Sequence, residues 1–261
     1  VKEKRICLMF HVHQKVFRKS LPKPLAIFAA FLENRIMPWA YKNVKFITIS
    51  KSTKKDMEKL NLSTEEINII HPGVDLSKLK PSNKSVTPTV LYLGRLKQYK
   101  SVDHFIKSAK NVIAEIPDVI FIIAGDGEEK DNLEKLVDKL SISTNVKFLG
   151  KVSDEEKIRL YQEAWVFVNP SFMEGWGITS IEANACGTPV VAADVPGLRD
   201  SVKNLDTGYL YKYGDHKELA RKILMLLNDQ NKRELMSLSS IKWAKGFDWN
   251  KSSYEFIRLI G

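Results

Sequence analysis

Cysteine is nearly absent. Cys7 and Cys186 are the only two in 261 residues, each in an apolar stretch, which argues against a disulfide-stapled secreted scaffold and a cysteine-based metal site. Two buried, reduced thiols are expected, and with them a cytoplasmic location. Long hydrophobic runs are missing too. The longest, Leu25 to Leu32, has eight residues, far from the ~20 that cross a bilayer, which leaves a soluble chain or one held peripherally at the inner face of the membrane. Repeats and low-complexity stretches do not occur, and 44% hydrophobic with 28% charged residues is a globular rather than a disordered composition. There is no Asp-x-Asp pair and no His/Cys ligand spacing, so neither a metal nor any other cofactor is expected. Gly125-Asp126-Gly127 begins like a dinucleotide fingerprint but lacks the third glycine and reads as a turn.

What the first sixty residues lack is negative charge. They hold 14 Lys and Arg against 4 Asp and Glu, which is the whole net charge of +10; the remaining residues carry 27 of each sign. Lys15, Arg18, Lys19 and Lys23 crowd one stretch of it. A solvated basic face, an anionic lipid surface and an acidic acceptor all fit this placement. Nucleic acid is not expected, because no nucleic-acid-binding motif accompanies the charge.

Beyond residue 75, short β-rich runs alternate with helical patterns, which predicts an α/β fold with a doubly wound parallel sheet. Candidate strands are Thr89 to Leu93, Val119 to Ala124, Val146 to Leu149, Val166 to Val168, Pro189 to Ala192 and Tyr209 to Tyr211, several continuously apolar as buried parallel strands are. Val102, Phe105, Ile106, Ala109, Val112 and Ile113 recur at helical spacing, as do Leu133, Leu136, Val137 and Leu140. Upstream, strands are expected at Arg5 to Phe10, Phe46 to Ile49 and Ile67 to Ile70, with helices within Leu25 to Trp39 and from Thr53 to Leu60. That is too little for a second domain of ~100–150 residues. The division expected is a partial N-terminal domain over 1–74, a ligand-binding domain over 75–246, and a final aromatic-rich helix, 247–261, that returns to the first domain.

The most informative run is SFMEGWGITSIEANACGTPVV. Two carboxylates, Glu174 and Glu182, bracket a glycine-broken loop that opens a helix; Gly175 and Gly177 let backbone N–H groups approach a ligand, and the helix N-terminus offers partial positive charge to an anion. The pattern of Glu, seven residues and Glu, followed by Ala183, Cys186, Gly187, Thr188 and Pro189, resembles the donor-site signature of family 4 of the retaining, nucleotide-sugar-dependent glycosyltransferases. Three further runs are similar to that family in order. VLYLGRLKQYKSVDHFIKSA carries Gly94, Arg95 and Lys100; IIHPGVD carries Gly73, Val74 and Asp75; VKFLGKVSDEE spans Val146 to Glu156.

The resemblance implies a fold of two Rossmann-like domains (GT-B), the first incomplete here, and transfer of a hexose from a UDP- or GDP-sugar to a hydroxyl acceptor, a glycan or lipid-linked glycan, without a metal. It implies that Arg95 and Lys100 hold the diphosphate, that Glu174 meets the sugar hydroxyls near the anomeric centre, and that N–H groups of Gly175, Trp176, Gly177 and Ile178 surround sugar and phosphates. Glu182 would accept from the ribose hydroxyls, as suits a carboxylate facing a vicinal diol. Lys151 and Val152 would flank the base, Gly73 would mark the interdomain entry, and His11, or else His13, would reach the reaction centre from the acceptor side. His104 and His216 are expected on helix surfaces. Ser101 stands where the family commonly has glycine, which predicts a differently shaped diphosphate loop. The lack of an initiating Met suggests a fragment, and a non-catalytic nucleotide-sugar-binding fragment is the alternative reading. A glycoside hydrolase using Glu174 and Glu182 as its pair is the third; two helical turns between them argue against it.

Overall fold

Apolar runs closed by glycine-containing turns become buried parallel strands. The computed structural model describes residues 5–14, 16–17, 21–62 and 66–260, and its strands form two wholly parallel sheets. In the first, β1 (Ile6–Met9), β2 (Lys45–Thr48) and β3 (Asn68–Ile69) lie in chain order. The second contains β4 (Thr89–Leu93), β5 (Ile120–Ala124), β6 (Val146–Gly150), β7 (Val166–Asn169), β8 (Val190–Ala193) and β9 (Gly208–Tyr211), in the spatial order β6-β5-β4-β7-β8-β9. The chain divides into two compact units, Val1–Gly73 with Trp249–Gly261, and Val74–Asp248.

In the larger unit the sheet is dry because its strands are apolar on both faces. Val90, Leu91 and Tyr92 of β4 and Val166, Phe167 and Val168 of β7 are buried. The Val102–Glu115 helix turns Val102, Phe105, Ile106, Ala109 and Val112 inward and packs on the Lys130–Leu140 and His216–Leu227 helices. A second set, Asp154–Glu163, Ile178–Ala185 and Gln230–Ala244, packs in the same way, giving the two helical layers of a doubly wound sheet. Chain order runs outward from β4 to β6 and then from β7 to β9. The carboxyl ends of β4 and β7 therefore border the crevice where such sheets take ligands. This unit closes on itself at its ends: Val74 N–H donates to the Phe247 carbonyl at 3.0 Å, and Val74 and Asp248 form a parallel bridge.

The smaller unit has its own core of Met9, Val44, Phe46, Met57, Leu62 and Ile67. Cys7 packs against that core only half-buried, contrary to the expectation of burial, whereas Cys186 is buried as expected. The strand expected over Ile67 to Ile70 shortens to β3, although Ile70 N–H still reaches the Thr48 carbonyl at 2.8 Å. The helix expected within Leu25 to Trp39 is interrupted: Lys23–Phe31 is α-helical, Leu32–Ile36 winds as a π-helix, and Met37–Ala40 resumes the α form. Of the first piece only Ala26 is buried, while Leu25, Ile27, Phe28 and Phe31 stay exposed. The Trp249–Ile260 helix belongs to this unit, with Ser252 Oγ donating to the His71 carbonyl at 2.6 Å. Lys15, Arg18 and Lys19 lie outside the described residues. No helix among the described residues is long and apolar enough to cross a membrane.

Leu205 offers a test of local backbone strain. It holds a left-handed φ of 71° and is 69% exposed, so its side chain contributes little packing while the conformation costs about 1–2 kcal/mol. Glycine removes that cost but frees the unfolded chain by roughly 0.4–1 kcal/mol. Leu205→Gly is expected to stabilise by about 0.5–1 kcal/mol and raise the melting temperature by about 1–4 °C; an unchanged or lower melting temperature would contradict the strain argument.

Candidate functional site

Three loops meet at the crevice, residues 94–101 after β4, 170–177 after β7 and 194–197 after β8. Because β4 and β7 are neighbours in the sheet, their following loops are forced together although some 75 residues of chain separate them. The result is a direct contact: Lys100 Nζ donates to Glu174 Oε1 at 2.5 Å, with both side chains 16% exposed. Ser171 Oγ donates to the same oxygen at 2.9 Å. Phe172 N–H donates to the Tyr99 carbonyl at 2.8 Å, tying the two loops at backbone level.

Arg95 stands at the outer edge of this loop and is exposed. Its Nη2 donates to the Tyr99 hydroxyl at 2.7 Å, and its carbonyl accepts from the Tyr92 hydroxyl at 2.9 Å. Burial, with Glu174 adding to it, pushes the Tyr92 phenol far above its ordinary value, so that hydroxyl stays a donor. Ser101 ends this loop, at the opening of the Val102–Glu115 helix. It adopts φ 51°, the left-handed region a glycine favours, and its Oγ lies 3.0 Å from the Tyr213 hydroxyl.

The glycine-broken loop runs into the Ile178–Ala185 helix through Gly177, whose φ is 76°. A Cβ there would lie 2.6 Å from Leu198 Cδ2. No side chain caps this helix; the Ser180 N–H turns back to the Gly177 carbonyl at 2.9 Å, and an uncapped helix N-terminus offers partial positive charge to an anion. Trp176 is buried, edge-on to Phe247 at 5.0 Å, and Phe247 is edge-on to Trp243 at 4.8 Å. That aromatic stack anchors the loop and leaves its backbone, with Gly175 and Ile178, at the crevice.

Glu182, one helical stretch later, has different partners. Tyr161 donates to Oε2 at 2.9 Å and Lys157 Nζ to Oε1 at 3.3 Å. Burial works against the Lys157 ammonium, but Glu182 and Asp154 outweigh it and raise its pKa. Lys151 and Val152 form the loop between β6 and the Asp154–Glu163 helix, Lys151 exposed and Val152 half-buried. His104 is less of a surface residue than its helix position suggests, since its ring packs on Tyr213 at 5.1 Å and is only 15% exposed.

His11 and Gly73 belong to the smaller unit. β1 ends at Met9, so His11 and His13 are not placed by strand alternation, yet their rings sit 4.1 Å apart. His13 is tethered to Glu33: its N–H donates to Oε1 at 2.7 Å and its Nδ1 lies 3.3 Å from the same oxygen. Glu33 is buried within the π-helical turn, and its Oε2 has no hydrogen-bond partner among the described residues.

Sequence reasoning missed Glu33, Tyr99, Tyr161, Lys157 and Gly197. Glu33 carried a signal, a lone carboxylate ending the longest apolar run. Gly197 carried a weaker one, a glycine in the turn after β8. Its φ is 82°, and a Cβ would fall 2.1 Å from the Glu174 carbonyl oxygen, so only glycine lets the Glu174 backbone pass. Nothing local marks Tyr161 or Lys157 as partners of Glu182, which lies on a later helix, or Tyr99 as the acceptor for Phe172 N–H from the loop after β7.

The family model described as Glycosyl transferases group 1 matches residues 77–243. A D-inositol 3-phosphate glycosyltransferase from Mycobacterium sp. (strain KMS) is 34% identical over 196 residues, covering 68% of this chain and 44% of that protein. The chain thus spans less than half the length of the curated relatives it matches. Among solved structures, sucrose-phosphate synthase from Thermosynechococcus elongatus aligns with a TM-score of 0.82 at 23% identity, over 99% of this chain and 67% of that one. Anabaena Alr3699/HepE in complex with UDP and glucose aligns with a TM-score of 0.79 at 22% identity, over 98% and 71%.

The approach at Gly197 can be tested without any ligand. Gly197→Ala must displace the backbone of residues 174–175, at a strain of about 1–3 kcal/mol. Amide hydrogen exchange is expected to quicken across residues 171–178 and stay at the parent rate in β4 and β5. Parent-like exchange in that loop would show that the close approach does not hold it.

Proposed function

Since this chain belongs to the group 1 glycosyl transferases, we propose that it carries the nucleotide-sugar half of a retaining, family 4 enzyme that moves a hexose from a UDP- or GDP-sugar to a hydroxyl acceptor. The observation that carries the reading is the Lys100–Glu174 contact, which joins a cation suited to diphosphate with a carboxylate suited to sugar hydroxyls. As the glycosidic bond breaks, charge builds on the departing diphosphate. Fixed cations and N–H dipoles lower that barrier without reorganising. Arg95, Lys100 and the N–H groups of Gly175, Trp176, Gly177 and Ile178 would do so here with no metal.

In this mechanism Lys100 is shared. An incoming diphosphate gives its ammonium a second acceptor, and Glu174 Oε1 is then released towards a sugar hydroxyl while Ser171 keeps the carboxylate oriented. Glu182 accepts from the ribose, Lys151 and Val152 flank the base, and Gly73 is the residue at which the chain passes from the smaller unit into the larger. His11, or else His13, which is bonded to Glu33, serves the acceptor side. The division at Gly73 and Trp249 supports an acceptor-side domain built from both ends of the chain. UDP is the first nucleotide to try, since Anabaena Alr3699/HepE was solved with UDP and glucose. Glu174 and Glu182 hold separate partners, which weighs against a hydrolase pair.

Calorimetry with UDP, GDP and ADP and their sugars tests the donor class. Arg95→Ala or Lys100→Ala is expected to weaken a nucleoside diphosphate by about 1.5–3 kcal/mol and leave the nucleoside unchanged; equal losses for both would reject the diphosphate assignment. Glu174→Gln should keep nucleotide affinity while slowing transfer in the full-length enzyme, and Glu182→Ala should weaken the nucleotide itself.

A lipid-linked acceptor and peripheral contact with an anionic membrane, from the cytoplasmic side, complete the proposal. Support comes from the +10 charge within residues 1–60 and from the exposed Leu25, Ile27, Phe28 and Phe31 beside Lys23. Each basic residue near an anionic surface contributes about 1 kcal/mol, screened over ~8–10 Å at physiological salt. The chain is expected to sediment with anionic vesicles at low salt, to leave them in high salt, and to lose binding when Lys15, Arg18, Lys19 and Lys23 become Glu. A folded chain that ignores such vesicles at low salt would reduce the basic segment to a solvated face.

A further inference from the structure

We infer that Tyr161 is a positioning residue that aims the Glu182 carboxylate at the ribose of a nucleotide, with Lys157 as the counter-ion that yields when the ribose arrives. This rests on the assignment of Glu182 made above. Tyr161 is fully buried on the Asp154–Glu163 helix, edge-on to Phe167 of β7 at 5.5 Å. Packed on that strand, the ring has no room to turn, and its hydroxyl meets Glu182 Oε2 at 2.9 Å. Burial, reinforced by Glu182, raises the phenol well above its ordinary value, so the hydroxyl donates throughout the physiological range.

A carboxylate has about four lone-pair sites on two oxygens. One site on Oε2 is taken by Tyr161, which restrains the plane of the group and leaves Oε1 and a second site on Oε2 for other donors. Lys157 Nζ holds Oε1 at 3.3 Å and lies 3.5 Å from Asp154 Oδ1. It is 26% exposed, against 15% for Glu182. The lysine therefore has a second carboxylate to lean on when two ribose hydroxyls approach Oε1 and the remaining site on Oε2. The tyrosine has nowhere to go. Fixed donor and movable cation together give a carboxylate that keeps its aim when empty and opens when occupied.

The test uses the whole chain and compares UDP and GDP with their 2′,3′-dideoxy forms by calorimetry, alongside thermal unfolding. The parent should prefer the ribonucleotide by about ten-fold or more, the scale of a hydrogen bond to a charged group. Tyr161→Phe should weaken the ribonucleotide by roughly three- to ten-fold and leave the dideoxy form unchanged. Equal weakening of both, or no change in either, overturns the inference. Lys157→Met should keep the ribose preference within about two-fold, because the lysine yields rather than aims; collapse of the preference in that variant also overturns it, even if Tyr161→Phe does not fold. Glu182→Ala separates the two levels. If it retains the parental preference, the ribose assignment itself fails; if it abolishes the preference while Tyr161→Phe does not, only the role of Tyr161 is lost.

Discussion

The pairing of β4 with β7, Val90 beside Val166 and Leu91 beside Phe167, is the constraint from which the candidate site follows. Parallel neighbours end at the same edge of a sheet, so the loops after these two strands must share one crevice whatever their sequences. Reversal of chain order there also leaves no crossover helix to cover the gap. Lys100 and Glu174 then meet across it, and Gly197 lets the third loop close in from β8. Hydrophobic burial of the strands supplies the stability, and the polar contacts at their ends supply the geometry.

Much of this was legible in the sequence, for reasons that can be stated. Continuous apolar runs fixed the places of β4, β5, β7 and β8, and helical periodicity located the Val102–Glu115 helix. The site residues were legible wherever their chemistry is local, as in the run from Glu174 to Pro189. Contacts between distant loops were not. Tyr161 reads as one more apolar-facing residue of a helix, and its hydrogen bond to Glu182 exists only because β7 brings the two helices together. Ser101 stood out as a serine in a glycine's place, but its left-handed φ of 51° leaves no mark in the sequence.

The smaller unit shows the opposite balance. Its strands were found from short β-rich runs, but the Leu32–Ile36 π-turn has no sequence period of its own, because one extra residue in a helical turn changes no composition. That turn seats Glu33 beneath His13. A carboxylate in so apolar a run needs a partner to be buried at all, and the backbone N–H of His13 is that partner.

Val74 and Asp248, bonded side by side, are the first and last residues of the larger unit. A unit whose two ends leave from one spot behaves as a cassette. Ends placed side by side are the arrangement in which insertion into a host loop, or circular permutation by joining the ends and opening a surface turn, disturbs the sheet least. For such a unit, exchange between genes keeps the whole crevice intact while everything it is attached to changes.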